Sequence, residues 1–517
     1  FFPGIGQFEG KIKVETMTNS GAYAVSKSLA WNFRLVDSLE PVVDSPGWLN
    51  LFPGSEIELI GERLLMGGEG QSLGVLEGVF KEDNGDVLYF DGVPLALDVQ
   101  ARTSASLRVV SEVFGIRSGT FSGTLRVVNQ HIQGDKREAP EAVSLSFTLG
   151  LPLIQAATPL AVRRGQVLRV QGHGFLEPDP ELGVGTLLVL EGVYRSAAGL
   201  EEDWTGHNAK MFFPEVITEN SIEMVVRASL GIDGQLHGLG VSAGTFDGVI
   251  APWVISGVDG VFGSGFQTQL QILPQRQLVY IKLLPGFEDA LGEFGLYVVR
   301  ELVKSRILEV LRRDYQGINI EFRFERPEDY VEYTVVEVGG QDPNSAGLLG
   351  LDNTEGKDVG NIRFNDVVGG FNALSEQQGF YAYGGVFLTS FFQFSEGHPL
   401  SDGQMAHPSF DLVFSPLAPV LGGVPAGAGD VQSFYVAEAV RVLGNLIGNT
   451  ISHEVGHALG LANLDGRFHN EGDNANWIMD AGGFRPFEER AELNGLGPEI
   501  FSPTNRMYLE TILPPDF

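Results

Sequence analysis

One block of this chain occurs twice. GSEIELIG at 54–61 returns as GQVLRVQG at 165–172, VLEGVF at 75–80 as VLEGVY at 189–194, and SLRVV at 106–110 as SIEMVV at 221–226. Three matches in one order, 111 to 115 residues apart, define two copies of a unit, 38–150 and 151–275. Inside each copy, short alternating runs of Val, Leu, Ile and Phe are separated by Gly, Pro, Asp and Asn. Alternation at period two gives a strand one buried face, and turns at this spacing predict an all-β sandwich. Part of the unit occurs a third time. FEGKIKV at 8–14 matches FSGTLRV at 121–127, and NFRL at 32–35 matches SFTL at 146–149. Residues 1–37 therefore read as the closing hairpin of a preceding unit. A lone hairpin is marginal in water and its open edges invite pairing. This one is expected either to be left from a longer precursor or to complete a sheet, in this chain or by self-assembly with a neighbouring one.

The G-x-x-[IL]-x-[IV]-x-G opening of each copy resembles the immunoglobulin-like domains called IPT/TIG, which implies immunoglobulin-like sandwiches. Length agrees with a multidomain chain, since 517 residues accommodate two to four domains. With 34 Lys and Arg against 66 Asp and Glu, the formal charge is −32. Such a surface repels nucleic acid and anionic membranes and attracts cations such as Ca²⁺. No apolar run reaches the roughly 18 residues a membrane-spanning helix needs, so no membrane insertion is expected. The absence of cysteine excludes disulfides and thiol catalysis.

Near residue 276 the texture changes. RQLVYIKLL reads as a strand, and 287–315 as one long amphipathic helix with acids early and basic residues late, as the helix dipole favours. Strands are expected at 318–325, 330–338 and 360–366. A second long helix is expected over 430–461, with Asp430 as N-cap and Gly444 and Gly448 as points of bending. A terminal helix is expected over 501–514, capped by Ser502 with Pro503 at its first position. This order predicts an α/β (α+β) domain over 276–517, a mixed sheet carrying helices.

The second long helix ends in ISHEVGHALGL. His453 and His457 stand one turn apart on one helix face, so both imidazoles can reach one metal ion. Glu454 between them is placed to act as a general base toward water activated by that ion. Gly460 follows three residues later, where the chain must turn back, and Met479 lies in WIMD. H-E-x-x-H-x-x-G followed by I-M-D resembles the metzincin metallopeptidases. The resemblance covers about the last 240 residues and implies a Zn²⁺ endopeptidase acting on protein or peptide substrates. It implies His453 and His457 as metal ligands, Glu454 as base and Met479 as the floor of a methionine turn. The family's third ligand falls at Asn463, whose neutral amide is a poor donor for zinc. His469, reached by a longer loop, is the preferred third ligand; Asp465, Asn463 and no third ligand at all remain open. A helix whose histidines serve only the core, and a thermolysin-like site ligated by Glu488 or Glu489, are the competing readings.

Weaker signals are an acidic turn with Asp352, Asn353, Glu355 and Asp358, either solvated or a Ca²⁺ site, and a similar segment at 470–476. Tyr508 is expected to pack, and His131, His173, His207, His237, His398 and His407 are read as surface or core residues. Two functions follow. The first is a secreted or cell-surface zinc endopeptidase with Glu454 as base, carried behind sandwich repeats. The alternative is a structural or adhesive surface protein assembling through its repeats, with an inactive protease-like domain.

Overall fold

The computed structural model describes residues 6–17, 23–109, 111–181, 183–230, 236–257, 259–354, 365–372, 381–427, 429, 433–461, 469–482 and 485–515. Three separate hydrophobic cores follow one another along the chain, with members from Val43 to Leu149, Ile154 to Ile272, and Val279 to Leu513.

The first two cores each lie between two sheets. In the first unit, strands Val42–Val43, Glu56–Glu62, Ser104–Arg108 and Asp98–Ala101 form one sheet. Gly47–Leu51, Val143–Leu149, Gly119–His131, Gly70–Glu82 and Val87–Ala96 form the other. The second unit repeats this plan around the long antiparallel pair Val184–Ser196 and Gly244–Ser256. Strand Glu56–Glu62 shows the cause: Ile57 and Leu59 are buried while Glu56, Glu58 and Ile60 face out.

The repeat holds at the level of register. Phe121 pairs with Phe147, Phe246 with Leu270, and Phe8 of the N-terminal hairpin with Phe33. In all three, an F-x-G triplet folds the Phe ring over its glycine. A Cβ on Gly10, Gly123 or Gly248 would stand 2.5, 2.8 and 2.8 Å from that ring. The hairpin Gly6–Ile12 with Leu29–Leu35 is therefore a third instance of the same element, but it forms a two-stranded sheet by itself among the described residues. Phe121 is 0 % exposed, whereas Phe8 is 45 % and Trp31 46 % exposed.

The third core supports a six-stranded mixed sheet. Ile320–Arg323, Gln277–Leu283, Thr334–Gly339 and Gly385–Phe387 run parallel, and Gly350–Leu351 lies antiparallel to Gly385–Phe387 at the edge. The expected helix over 287–315 is two helices, Pro285–Glu293 and Arg300–Asp314. Gly295, at φ +72°, breaks it, and its backbone passes so close to Leu417 O that a Cβ would stand 2.0 Å away. The strand expected at 330–338 begins at Thr334. Most of the one expected at 360–366 lies outside the described residues. The second long helix spans Phe434–Ala458 with Ser433 as N-cap residue; Asp430 lies outside the described residues.

Gly444 and Gly448 do not break that helix, which runs through both. They are the places where it lies against helix Arg300–Asp314. A Cβ on Gly444 would stand 2.4 Å from the Arg306 side chain, and one on Gly448 2.7 Å from Val310 Cβ. The last helix, Pro503–Ile512, is capped as expected, the Ser502 hydroxyl accepting from the Asn505 N–H. No helix among the described residues is long and apolar enough to cross a membrane.

Candidate metal centre

The last two turns of helix Phe434–Ala458 carry His453, Glu454 and His457, all buried. The helix stops by a double bond pattern: Leu461 N–H donates to Gly456 O at 2.9 Å and Gly460 N–H to His457 O at 2.8 Å. This closure needs a left-handed residue at Gly460, which has φ +89°. The chain thus turns away directly after His457, as the spacing of the glycine predicts.

The chain comes back at His469. Its approach is fastened to the segment around Met479: Asn470 N–H donates to Met479 O at 2.9 Å, and Asn470 Nδ2 to Asp480 Oδ1 at 3.0 Å. The Asp480 carboxylate, fully buried, also accepts from the Asn474 N–H at 2.6 Å. The polar stretch 470–476 is therefore partly a brace for the loop.

As a result, His453, His457 and His469 each offer a ring nitrogen, and these atoms lie within 4.8 Å of one another. His453 Nε2 and His457 Nε2 are 3.1 Å apart. Two Zn–N bonds of about 2.0–2.1 Å at the tetrahedral angle separate nitrogens by about 3.3 Å, so the donor set fits such an ion. His453 Nδ1 donates to Ile478 O at 2.6 Å, which fixes the tautomer and leaves the Nε2 lone pair available to a metal ion. Burial, then the neighbouring His457 and Arg485, holds the His453 pKa well below the usual imidazole value. Burial and Arg485 also lower that of His469, against the pull of Asp480. Both rings are thus neutral near pH 7, the form that binds metal.

Glu454 Oε2 accepts from the Asp352 N–H at 2.7 Å, which ties the carboxylate to the end of edge strand Gly350–Leu351. Asp352 and Asn353 are each 2 % exposed, so these two members of the acidic pattern are not solvated. Asn353 Nδ2 donates to the carbonyls of Gly369, Gly370 and Ala382 and so holds the loop together. Glu355 and Asp358 lie outside the described residues, as do Asn463 and Asp465.

Met479 is fully buried, with its sulfur 2.5 Å from where a Cβ on Gly456 would stand. The glycine between the two histidines thus lets the methionine lie under the helix. Glu488 is bonded to Ser409 and Asn494, and neither it nor Glu489 joins the histidine group. Tyr508 donates to Leu459 O at 2.8 Å and packs against the core, as its helix position suggests. None of the six other histidines belongs to the group.

A cavity of about 520 Å³ opens over these residues, lined also by Gly350, Leu351, Asp352, Met405, Thr450, Arg485 and Arg490. Arg485 pairs with Glu499 through two hydrogen bonds, both side chains being essentially inaccessible. Burial, and then the nearby Arg485, brings the Arg490 guanidinium down to about 9. Sequence reasoning missed this layer. Arg485, Arg490 and Glu499 sit outside any motif, and only folding brings them to the histidines.

No family model matches the chain, and no curated protein matches it. Among solved structures it is similar to the FN1–FN3 domains of chicken CNTN1, at 9 % identity over 52 % of this chain and 76 % of that one, with a TM-score of 0.17. It is similar to a tetra-tandem repeat from the extending region of a large adhesion protein, at 11 % identity over 52 % and 57 %, with a TM-score of 0.16. A third is a Bacteroides ovatus protein, SGBP-B, in complex with a mixed-linkage heptasaccharide, at 13 % identity over 52 % of each chain and a TM-score of 0.17. At such scores these likenesses carry no argument about this chain.

Proposed function

We propose that the C-terminal half of this chain is a zinc-dependent endopeptidase of metzincin-like architecture. The observation that carries this reading is the convergence of His453, His457 and His469 beside Glu454, within a cavity large enough for a peptide side chain. His453, His457 and His469 would hold the ion. When bound there, zinc lowers the pKa of water and polarises the scissile carbonyl. Glu454, with one oxygen held by the Asp352 amide, receives the proton of the attacking water and passes it to the leaving nitrogen. Strand Gly350–Leu351 lies at the sheet edge, so an extended peptide can add beside it as a further strand. Met479 supports the helix from beneath. A secreted or cell-surface location, with the sandwiches presenting the peptidase, is part of the same reading.

Elemental analysis after zinc loading and washing is the direct test. One zinc per chain is expected in the wild type and in Asn463→Ala, and markedly less in His469→Ala. Glu454→Ala should keep the metal and lose roughly 10²–10⁴-fold in hydrolysis of an unfolded protein. A wild type that holds no zinc, or a Glu454→Ala variant as active as the wild type, would refute the reading.

One observation favours the structural and adhesive alternative. The hairpin at the N-terminal end presents Phe8, Trp31 and Phe33 as a stacked apolar face, with Phe8 and Phe33 centroids 4.9 Å apart. In the two sandwiches the equivalent face is covered by the opposite sheet.

A further inference from the structure

We propose that Arg490 makes one wall of the cavity a carboxylate-binding surface, so that the peptides taken carry a carboxylate beside the bond to be cut. This inference rests on the peptidase reading and names a substrate class for the same site. Arg490 lines the cavity with the three histidines and is only 4 % exposed. Its Nε donates to Arg485 O at 2.8 Å and its Nη2 to Gly482 O at 3.1 Å, both neutral acceptors. No described carboxylate is at ion-pair distance; Glu499, Glu454 and Glu489 act on it only from further away.

The two arginines of the cavity therefore differ. Arg485 is neutralised by Glu499. Among the described residues, Arg490 is a buried cation balanced by carbonyl dipoles and more distant acids, which is a costly state. Its Nη1 makes no hydrogen bond among the described residues, so the planar fork still has a donor to offer. An incoming carboxylate would complete the pair in the cavity that the histidines also line. A lysine or arginine side chain in the same place would meet a like charge. The wall carries this cation within a chain whose net charge is −32, and Asp352 and Glu454 line the same cavity.

The probes are four hydroxamate-capped amino acids, in which the hydroxamate anchors on zinc and the next residue enters the cavity. They are the amides of Glu, Gln and Lys, and Gln with a free carboxylate. Binding to the zinc-loaded protein is measured by titration calorimetry. Glu amide or Gln free acid should bind at least about tenfold tighter than Gln amide, with Lys amide weakest. The first result assigns the carboxylate to a side chain, as an endopeptidase requires; the second assigns it to a chain terminus and makes the site that of a carboxypeptidase. R490Q should bring the favoured probe to the level of Gln amide, leaving Gln amide affinity and zinc content unchanged. If R490Q does not fold, R490K, which keeps the charge and loses the fork, should shrink the preference with Gln amide unmoved. Equal binding of all four probes, or a preference that survives in the folded variant, overturns the inference while the metal centre stands. If no hydroxamate binds the zinc-loaded protein, the peptidase reading falls and the inference falls with it.

Discussion

His453 illustrates how single residues are prepared for one task. Its Nδ1–H is taken by Ile478 O, and its basicity is lowered by burial, His457 and Arg485. A depressed pKa means that protons compete for the ligand nitrogen only at lower pH. Bound zinc is therefore expected to survive acidification through pH 6.5, the ordinary imidazole value, and to be released only well below it. A chromogenic chelator read against pH checks this; half-release at or above pH 6.5 would show that the rings are not shielded as described. Gly456 is a second case. Its lack of a side chain reads as unremarkable in H-E-V-G-H, yet it is what admits the Met479 sulfur.

At the scale of elements, two helical glycines have opposite meanings. Gly292, near the end of helix Pro285–Glu293, has nothing within 4 Å of an added Cβ. Gly448 faces Val310 at 2.7 Å, where the site helix crosses helix Arg300–Asp314. Replacing either by Ala gains helix propensity, worth up to about 1 kcal/mol. At Gly448 that gain is outweighed by overpacking, about 1–3 kcal/mol. Gly292→Ala should stabilise by about 0.5–1 kcal/mol and Gly448→Ala should destabilise, as measured by chemical unfolding. Equal shifts would mean that the crossing is looser than described. The same helix pair is latched by Ser452, whose hydroxyl donates to Asp314 Oδ2 at 2.7 Å, and by Tyr315, which donates to Ser452 O at 2.9 Å. Position and orientation of His453 and His457 thus depend on a neighbouring helix that contributes nothing to the histidine group.

Across the whole molecule, the three separate cores meet through polar and aromatic contacts. Between the sandwiches these include the Ser55 hydroxyl donating to Glu219 at 2.6 Å and Phe52 stacked on His173. Between the second sandwich and the C-terminal domain, Val331 N–H donates to Gly165 O at 2.7 Å, and Arg227 pairs with Glu332. Separate cores unfold separately. Scanning calorimetry is expected to show more than one transition, with zinc raising only the one belonging to the C-terminal domain and a chelator reversing it. A single transition that moves as a whole would show that the cores are coupled.

The repeat, the sandwich class and the mixed sheet with helices were legible because periodicity and turn residues are local properties of the chain. So were the two histidines on one helix face, the base between them and the stop at Gly460. Local spacing also suggested a bend at Gly444 and Gly448, and one helix over 287–315. The helix over 287–315 is instead broken at Gly295, and Gly444 and Gly448 serve as contact points, because close approach to Leu417, Arg306 and Val310 is not written in neighbouring residues. The third histidine was one of several open choices in the sequence. Placing His469 beside His453 required the Asn470–Met479 and Asn474–Asp480 bonds that fold its loop back. The charge of the cavity wall was decided by tertiary structure alone. Among the described residues Arg485 finds Glu499 and Arg490 finds carbonyls, and burial makes that difference matter because the dielectric around them is low.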